Sequence, residues 1–486
     1  MKTRTPTLTV SPNAPTAEGR ELYDYQKVLM ARLVKEFRDG ARDVLLHAPC
    51  GAGKTMLGKA FAAWALLAMG GFEGFHTIVI CAPLHTIMEQ WSHDEAVVFR
   101  KEWSKSHGPL QYTSIKMLEH KKGQSPADFW DAFWARTFAS QKAIYTCSRA
   151  LLTNRACMEA LERAGSVKGF LIKGDEAHHH TTSVDDRGGN RAGDFVEMLL
   201  ERGGAFLGST ATPWSRSGEV VRKGTVLVRL PLLKYQQQID PDTGKPFAPQ
   251  HWEALPIITA FETTDETLAI EDRRRIVEDE NDKGVSSALK AFALEVVPEY
   301  VKRWTADGCR KTVMRARTVE AARLLVKKLE ASVKAKGILG HKPRVLSLSG
   351  EMSREEKAAA QATLDVESKV RVYSESKVDV IVAVVRMDEG TDWRPCSDVY
   401  TTGIPGSIGF DIQLCSRGGR GKGRIAGYPL HSENTQRMFY LLPKLDDESR
   451  ARVMVAYSDL MIAKSLILQS LEAGLEVVNT SASIKL

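Results

Sequence analysis

The stretch Asp43-Val-Leu-Leu-His-Ala-Pro-Cys-Gly-Ala-Gly-Lys-Thr55 decides how this chain is read. It starts as a β-prone apolar run, passes through small residues and glycines, and continues into a helical pattern over residues 56–69. Strand, loop and helix in that order make a phosphate cradle. Gly51, Ala52 and Gly53 let successive backbone N–H groups turn inward, and the helix N-terminus adds its partial positive charge. In such a loop Lys54 reaches the β and γ phosphates of a nucleoside triphosphate, and the Thr55 hydroxyl sits on Mg²⁺.

Working outward, short β-rich runs at 43–47, 77–81, 143–146, 169–172 and 205–208 alternate with helical patterns. That alternation predicts right-handed crossovers and a parallel sheet. Asp175-Glu-Ala-His178 follows the fourth run, at the strand end where a parallel sheet presents its ligand residues. Asp175 is suited to hold the metal and Glu176 to polarise an attacking water. Lys173 and Gly174 make the end of this strand unusually polar, which weakens its reading as a strand. His178, His179 and His180 cannot all face one ion from a regular element, so a transition-metal site is not expected. A hydrogen bond from His178 to the segment Ser209-Thr-Ala-Thr-Pro213 is the more economical role, with Ser209, Thr210 and Thr212 as coupling residues.

A proline-rich stretch, 221–264, with the turn-like Asp240-Pro-Asp-Thr-Gly244, reads as a connector carrying a strand or two and an exposed hairpin. An α/β pattern then resumes. It has a helical period at 287–306 and strands at 311–315, 344–348, 378–384 and 397–401, and it ends near Leu442.

At 486 residues the chain is too long for one ordinary core and suits two domains. A content of 43% hydrophobic and 26% charged residues excludes disorder and fibrous repeats as its main character. The 67 Lys+Arg against 60 Asp+Glu leave +7, too little to establish a polyanion partner. Residues 301–345, however, hold thirteen Lys/Arg and three Asp/Glu, a bias that a phosphate backbone could use and that a solvated helix face explains equally well. Seven cysteines, odd in number and without a C-x-x-C pair, argue against a disulfide framework or zinc ribbon. A reducing, cytoplasmic setting is expected, with no membrane span, since the longest apolar stretch, 60–69, is about half the length a bilayer needs.

Together these residues resemble the superfamily 2 helicases and translocases, specifically the DEAH-type group that includes phage branch-migration helicases and the motor subunits of type III restriction enzymes. The likeness runs from Leu22 to about Arg424, with the motifs in family order. Residues 48–55 match motif I, Pro83 to Trp91 resembles motif Ia, Asp175 to His178 is motif II, and Ser209 to Pro213 resembles motif III. Lys311-Thr-Val-Met-Arg-Ala-Arg317 is similar to motif IV, the segment with Glu389-Gly-Thr-Asp392 to motif V, and Gln413-Leu-Cys-Ser-Arg-Gly-Gly-Arg420 to motif VI. Leu22-Tyr-Asp-Tyr-Gln26 resembles the adenine-reading element, with Tyr23 in place of its usual arginine, and Ser416 stands where motif VI usually has glycine.

The resemblance implies an α/β fold of two tandem RecA-like domains with parallel sheets, an ATP cleft between them and a C-terminal helical tail. The expected division is 1–20 flexible, 21–225 the first domain, 226–285 a connector, 286–442 the second domain and 443–486 the helical extension. It implies ATP and Mg²⁺ as ligands, with Gln26 reading adenine, Gly390 and Asp392 of motif V at the nucleotide, and Gln413, Arg417 and Arg420 of motif VI completing the catalytic set. Arg420 is the finger that stabilises the transferring phosphoryl group. Pro83, Thr146, Arg315 and Arg317 are the expected nucleic-acid contacts, holding phosphates without reading bases. Trp91, Trp214 and Trp393 are expected to pack in cores, not to act as stacking wedges. The implied activity is an ATP-dependent motor acting on DNA in recombination or repair, compact, stand-alone and monomeric, with a possible protein partner at the C-terminal extension. Two alternatives stay open: RNA as the track, or an ATP-gated nucleic-acid clamp that does not unwind.

Overall fold

The computed structural model describes residues 22–67, 74–82, 112–114, 125–135, 143–177, 191–211, 225–241, 243–248, 251–262, 287–348, 352–384, 393–403, 425–429 and 435–444. The chain divides into two compact units, Met1–Pro231 and Leu232–Leu486.

In the first unit β1 (Asp43–His47), β2 (Thr77–Ala82), β3 (Tyr112–Ser114), β4 (Ala143–Ser148), β5 (Phe170–Asp175), β6 (Ala205–Thr210) and β7 (Val226–Arg229) form one sheet. Its order is β3-β4-β2-β5-β6-β1-β7, and every pairing is parallel. Strands β2, β5 and β6 are buried along their whole length, which is why the sequence shows continuous apolar runs there and no alternation. The helix Lys54–Leu67 buries Leu57, Phe61 and Trp64 completely. The helix Pro126–Trp134 starts on a Ser125 cap, with the hydroxyl accepting from the Asp128 amide, and buries Phe129, Trp130, Phe133 and Trp134. These rings pack with Tyr145, Phe170 and Phe195 into a single aromatic core.

The second unit contains β8 (His251–Glu262), β9 (Thr312–Arg315), β10 (Val345–Leu348), β11 (Val380–Ala383), β12 (Asp398–Thr402) and β13 (Thr435–Lys444). They form a second parallel sheet in the order β10-β11-β9-β12-β13-β8. The helices Val297–Ala306 and Val319–Glu330 supply Tyr300, Trp304, Leu325 and Leu329 to one core cluster, and Val313, Ile381, Val399 and Tyr440 belong to another. Both units are thus parallel α/β domains of the RecA-like kind. The segment read as a connector contributes a strand to each: β7 extends the first sheet and β8 the second. Its hairpin is present, with an antiparallel bridge between Ile239 and Pro246 and a turn closed by the Gly244 amide on the Asp240 carbonyl at 2.8 Å.

The helical period at 287–306 resolves into two helices, Ser287–Glu295 and Val297–Ala306. Pro298 lies in the first turn of the second, where its missing N–H is tolerated but a continuous helix would lose a hydrogen bond. Trp393 is a core residue, 1% exposed, and its indole N–H donates to Glu367 at 3.0 Å. Trp91, Trp214, the lead-in 1–20 and the extension beyond Lys444 lie outside the described residues.

Residues at the amino ends of β9, β10 and β11 share a buried charge cluster. Asp379, 3% exposed, accepts from the Arg344 guanidinium at 2.7 and 3.0 Å, the Arg344 amide at 2.9 Å and the buried Lys311 ammonium at 3.4 Å. Its Oδ2 also lies 3.0 Å from His341 Nε2. Burial alone would raise the pKa of this carboxyl, but the bonds from Arg344, with His341 and Lys311, outweigh it and hold the value at about 2. A carboxylate whose folded pKa lies below its unfolded one stabilises fully above the unfolded value and loses that contribution as pH falls through the folded one. Asp379→Ala is expected to cost about 3–5 kcal/mol at pH 7, because Lys311 is left buried and uncompensated. In urea denaturation the wild-type advantage over this variant should shrink between about pH 4 and pH 2.

Candidate functional site

The order β5-β6-β1 builds the candidate site, because three neighbouring parallel strands end at the same sheet edge. His47, the last residue of β1, lies in register with Thr210, and Asp175, the last residue of β5, with Ser209. The Ala48 amide donates to the Thr210 carbonyl at 3.2 Å, so the loop leaves β1 against the end of β6. His47 is fully enclosed: burial, then Arg229 and Lys54, lower its pKa to about 3 and keep the imidazole neutral under the loop.

The loop has the backbone that a phosphate cradle needs. Gly51 and Gly53 take φ of +83° and +80°, a region that L side chains avoid, and the helix begins at Lys54. A Cβ at Gly53 would stand 2.3 Å from Gln26 Nε2. Gln26 is buried, not a surface helix residue, and its amide is engaged at both ends. Its Oε1 accepts from the Tyr23 amide at 3.0 Å, and its Nε2 donates to the Ala52 carbonyl at 3.1 Å. Tyr25 OH donates to the same carbonyl at 3.3 Å, so the start of the helix Asp24–Arg38 pins the loop. Lys54 Nζ donates to the Ala48 and Pro49 carbonyls at 3.1 and 3.3 Å, curled over its own loop.

β5 continues through Lys173 and Gly174 to Asp175, contrary to what its polar end suggested. The physical reason is that the lysine is satisfied inside. Its Nζ donates to Ser209 Oγ at 2.6 Å and to the Gly174 carbonyl at 3.0 Å, and lies 3.8 Å from Asp175 Oδ1. Ser209 in turn donates to Asp175 Oδ1 at 2.7 Å. Burial lowers the Lys173 pKa, while Asp175 and Glu176 act to raise it. Glu176, the next residue, is half-buried with φ of +48°, a left-handed conformation that costs a non-glycine residue energy and recurs at functional sites.

The oxygen donors present, the Asp175 carboxylate and the Thr55 hydroxyl one residue after Lys54, are the hard ligands that Mg²⁺ prefers. Together with a glycine-lined loop opening onto a helix N-terminus, they fit a magnesium–triphosphate ligand. Among the described residues no group of three or more His, Cys, Asp or Glu converges as a metal cluster.

Sequence reasoning missed Lys173 as a member of the site. Its only signal was a cation inside an apolar strand, two positions before the first acid. Of the expected nucleic-acid contacts, Thr146 and Arg315 are buried, at 5% and 7% exposure, because each lies in an interior strand of its sheet. Arg317 follows β9 and is half-buried. Pro83, His178, Thr212, Gly390, Asp392, Gln413, Arg417 and Arg420 lie outside the described residues. No helix of the described residues is long and apolar enough to cross a membrane.

Residues 20–214 match the family model described as "Type III restriction enzyme, res subunit", ResIII. The matched segment contains β1 to β6 with the glycine loop and the acidic pair. No curated relative matches the chain by sequence. Among solved structures, the ATP-dependent Type ISP restriction-modification enzyme LlaBIII bound to DNA aligns at 14% identity and a TM-score of 0.53, over 88% of this chain and 28% of its own. The DUF1998 helicase MrfA bound to DNA aligns at 12% identity and a TM-score of 0.51, over 93% of this chain and 50% of its own. Helicase Lhr from Mycobacterium smegmatis, bound to ssDNA and AMP-PNP, aligns at 15% identity and a TM-score of 0.46, over 87% and 48%. The chain therefore spans half or less of each of these proteins, and at such identities the likeness concerns the fold.

Gly53→Ala adds a side chain where φ is +80° and the nearest atom would be 2.3 Å away. It is expected to weaken binding of a fluorescent ATP analogue by about 10-fold or more, because alanine relaxes the free loop out of the left-handed geometry, which binding must then restore. Equilibrium titration checks this, and wild-type affinity would count against the loop as the cradle.

Proposed function

We propose that this chain is an ATP-dependent nucleic-acid motor, a helicase or translocase that acts on DNA. The observation that carries the reading is the convergence of the glycine loop after β1, the Asp175–Glu176 pair after β5 and Ser209 of β6 at one sheet edge. Triphosphate and acid–base chemistry belong together at such an edge. The ResIII match over 20–214 and the DNA-bound neighbours of similar fold support the choice of substrate class.

In this reading Lys54 exchanges the Ala48 and Pro49 carbonyls for phosphate oxygens, which costs little because those carbonyls are only its resting partners. Asp175 and Thr55 hold Mg²⁺, which when bound neutralises phosphate charge. Glu176, fixed in its left-handed conformation, accepts the proton of the attacking water. From the motif resemblance, Gln413, Arg417 and Arg420 are further members of the catalytic set, with Arg420 as the finger that stabilises the transferring phosphoryl group. ATP binding and hydrolysis then shift each molecule between states that grip and release a strand. Contacts to the strand are made to phosphates, which suits sequence-independent movement. Fork, branch or duplex remodelling in recombination or repair is the role that such a motor would fill.

The deciding measurement is the ATPase rate with no nucleic acid, single-stranded DNA, duplex DNA, branched DNA and RNA, alongside strand displacement. Stimulation by DNA is expected, and Lys54→Ala and Glu176→Gln should abolish turnover. Arg420→Ala should keep ATP binding and lose about 10³-fold or more in rate. Turnover that is absent with every substrate, or that survives in Lys54→Ala, would overturn the motor. Stimulation by RNA alone would move the track to RNA, and turnover without displacement or movement would leave an ATP-gated clamp.

A further inference from the structure

We infer that Gln26 is a positioning residue of the phosphate loop and not a reader of the base: with Tyr25 it holds the Ala52 carbonyl, and so aims the Gly53 amide at the triphosphate. The inference rests on the reading of the loop after β1 as a triphosphate cradle, and it departs from the role that the motif resemblance implies for Gln26.

The two partners of the side chain fix its orientation. The Tyr23 amide needs an acceptor and the Ala52 carbonyl needs a donor, so Oε1 takes the first at 3.0 Å and Nε2 the second at 3.1 Å. The first bond belongs to a capping box at the start of the helix Asp24–Arg38. The second joins the bond from Tyr25 OH at 3.3 Å, so one helix gives a single loop carbonyl two donors. The Ala52 amide donates in turn to the Pro49 carbonyl at 3.2 Å, and this residue is held on both sides.

A trans peptide is planar, with its C=O and the following N–H on opposite sides. Pinning the Ala52 carbonyl toward the helix therefore turns the Gly53 N–H away from it. Gly51 and Gly53, at φ of +83° and +80°, supply the backbone freedom that the flanking positions need. Successive N–H groups turned the same way are what hold a phosphate.

Base reading asks for another arrangement, in which a glutamine offers donor and acceptor side by side to the edge of the base. Gln26 is only 5% exposed, and both halves of its amide are bonded to backbone. It lies so close against the loop that a Cβ at Gly53 would stand 2.3 Å from Nε2. Contacts of this kind serve the part of the ligand that every nucleoside triphosphate shares.

The test uses the full chain and the variants Gln26→Ala, Tyr25→Phe and Lys54→Ala. ATP, GTP and tripolyphosphate, which has no base, each compete with a fluorescent ATP analogue in Mg²⁺, and the melting temperature is recorded for each protein. Gln26→Ala should weaken all three competitors by one common factor of about 2- to 10-fold, the worth of a lost hydrogen bond, with the wild-type ratio of ATP to GTP affinity kept. Tyr25→Phe, which keeps the ring and loses only the hydroxyl, should also weaken all three alike. Loss for ATP alone in Gln26→Ala would make the residue a base reader and overturn the inference. A residue that only held the fold together would lower the melting temperature and leave the affinities of the folded protein unchanged, which overturns it as well. If Gln26→Ala does not fold, Tyr25→Phe decides: equal losses support the inference and unchanged affinities overturn it. Undiminished binding in Lys54→Ala would instead sink the cradle itself, whatever Gln26 does.

Discussion

A single backbone hydrogen bond, from the Ala48 amide to the Thr210 carbonyl, marks the constraint on which the first unit depends: β1 and β6 end together. Parallel strands in register carry their ends to one edge, and with β5 on the far side of β6, three loops distant in the chain meet there. The glycines, the acidic pair and the hydroxyl segment have no other reason to be neighbours. Residues 43–47 and 205–210 must pair in parallel before a phosphate loop can have a floor.

Both units bury charge, at opposite ends of their strands. In the second, Asp379 takes on two guanidinium bonds, an ammonium and an amide at the amino ends of the strands, away from the edge where ligands bind. Such a cluster holds a sheet end closed, and its full satisfaction is what lets Lys311 remain inside. In the first, Lys173 and Asp175 lie 3.8 Å apart at the carboxyl edge, with Ser209 bonded to both, next to a glutamate held in a costly conformation. There the buried charge ties the carboxyl end of β5 to that of β6, whereas in the second unit it ties amino ends together.

Most central strands were legible because a strand covered on both faces must be apolar throughout, as in Thr77-Ile-Val-Ile-Cys-Ala82. The strands that escaped notice, β3 and β13, and the two that were anticipated only as a strand or two of the connector, β7 and β8, lie at or next to the sheet edges, where fewer neighbours constrain composition and where prolines such as Pro256 are tolerated. β5 was misjudged at its end because local polarity was weighed without the partner that neutralises it. The break at Pro298 has a local cause and was available from the sequence, but the apolar period on either side hid it.

What the sequence determined by itself was chemical inventory and order: a glycine loop after a strand, an acidic pair after another, and hydroxyls after a third. These are local patterns, set by residues within a few positions of one another. Which of those groups touch was decided by the tertiary structure. Gln26 reaches the Ala52 carbonyl across 26 residues, and Ser209 reaches Asp175 across 34. Such contacts come from strand order and register, and a lysine within an apolar run is an anomaly in one dimension. In three dimensions it is a donor with acceptors at 2.6 and 3.0 Å.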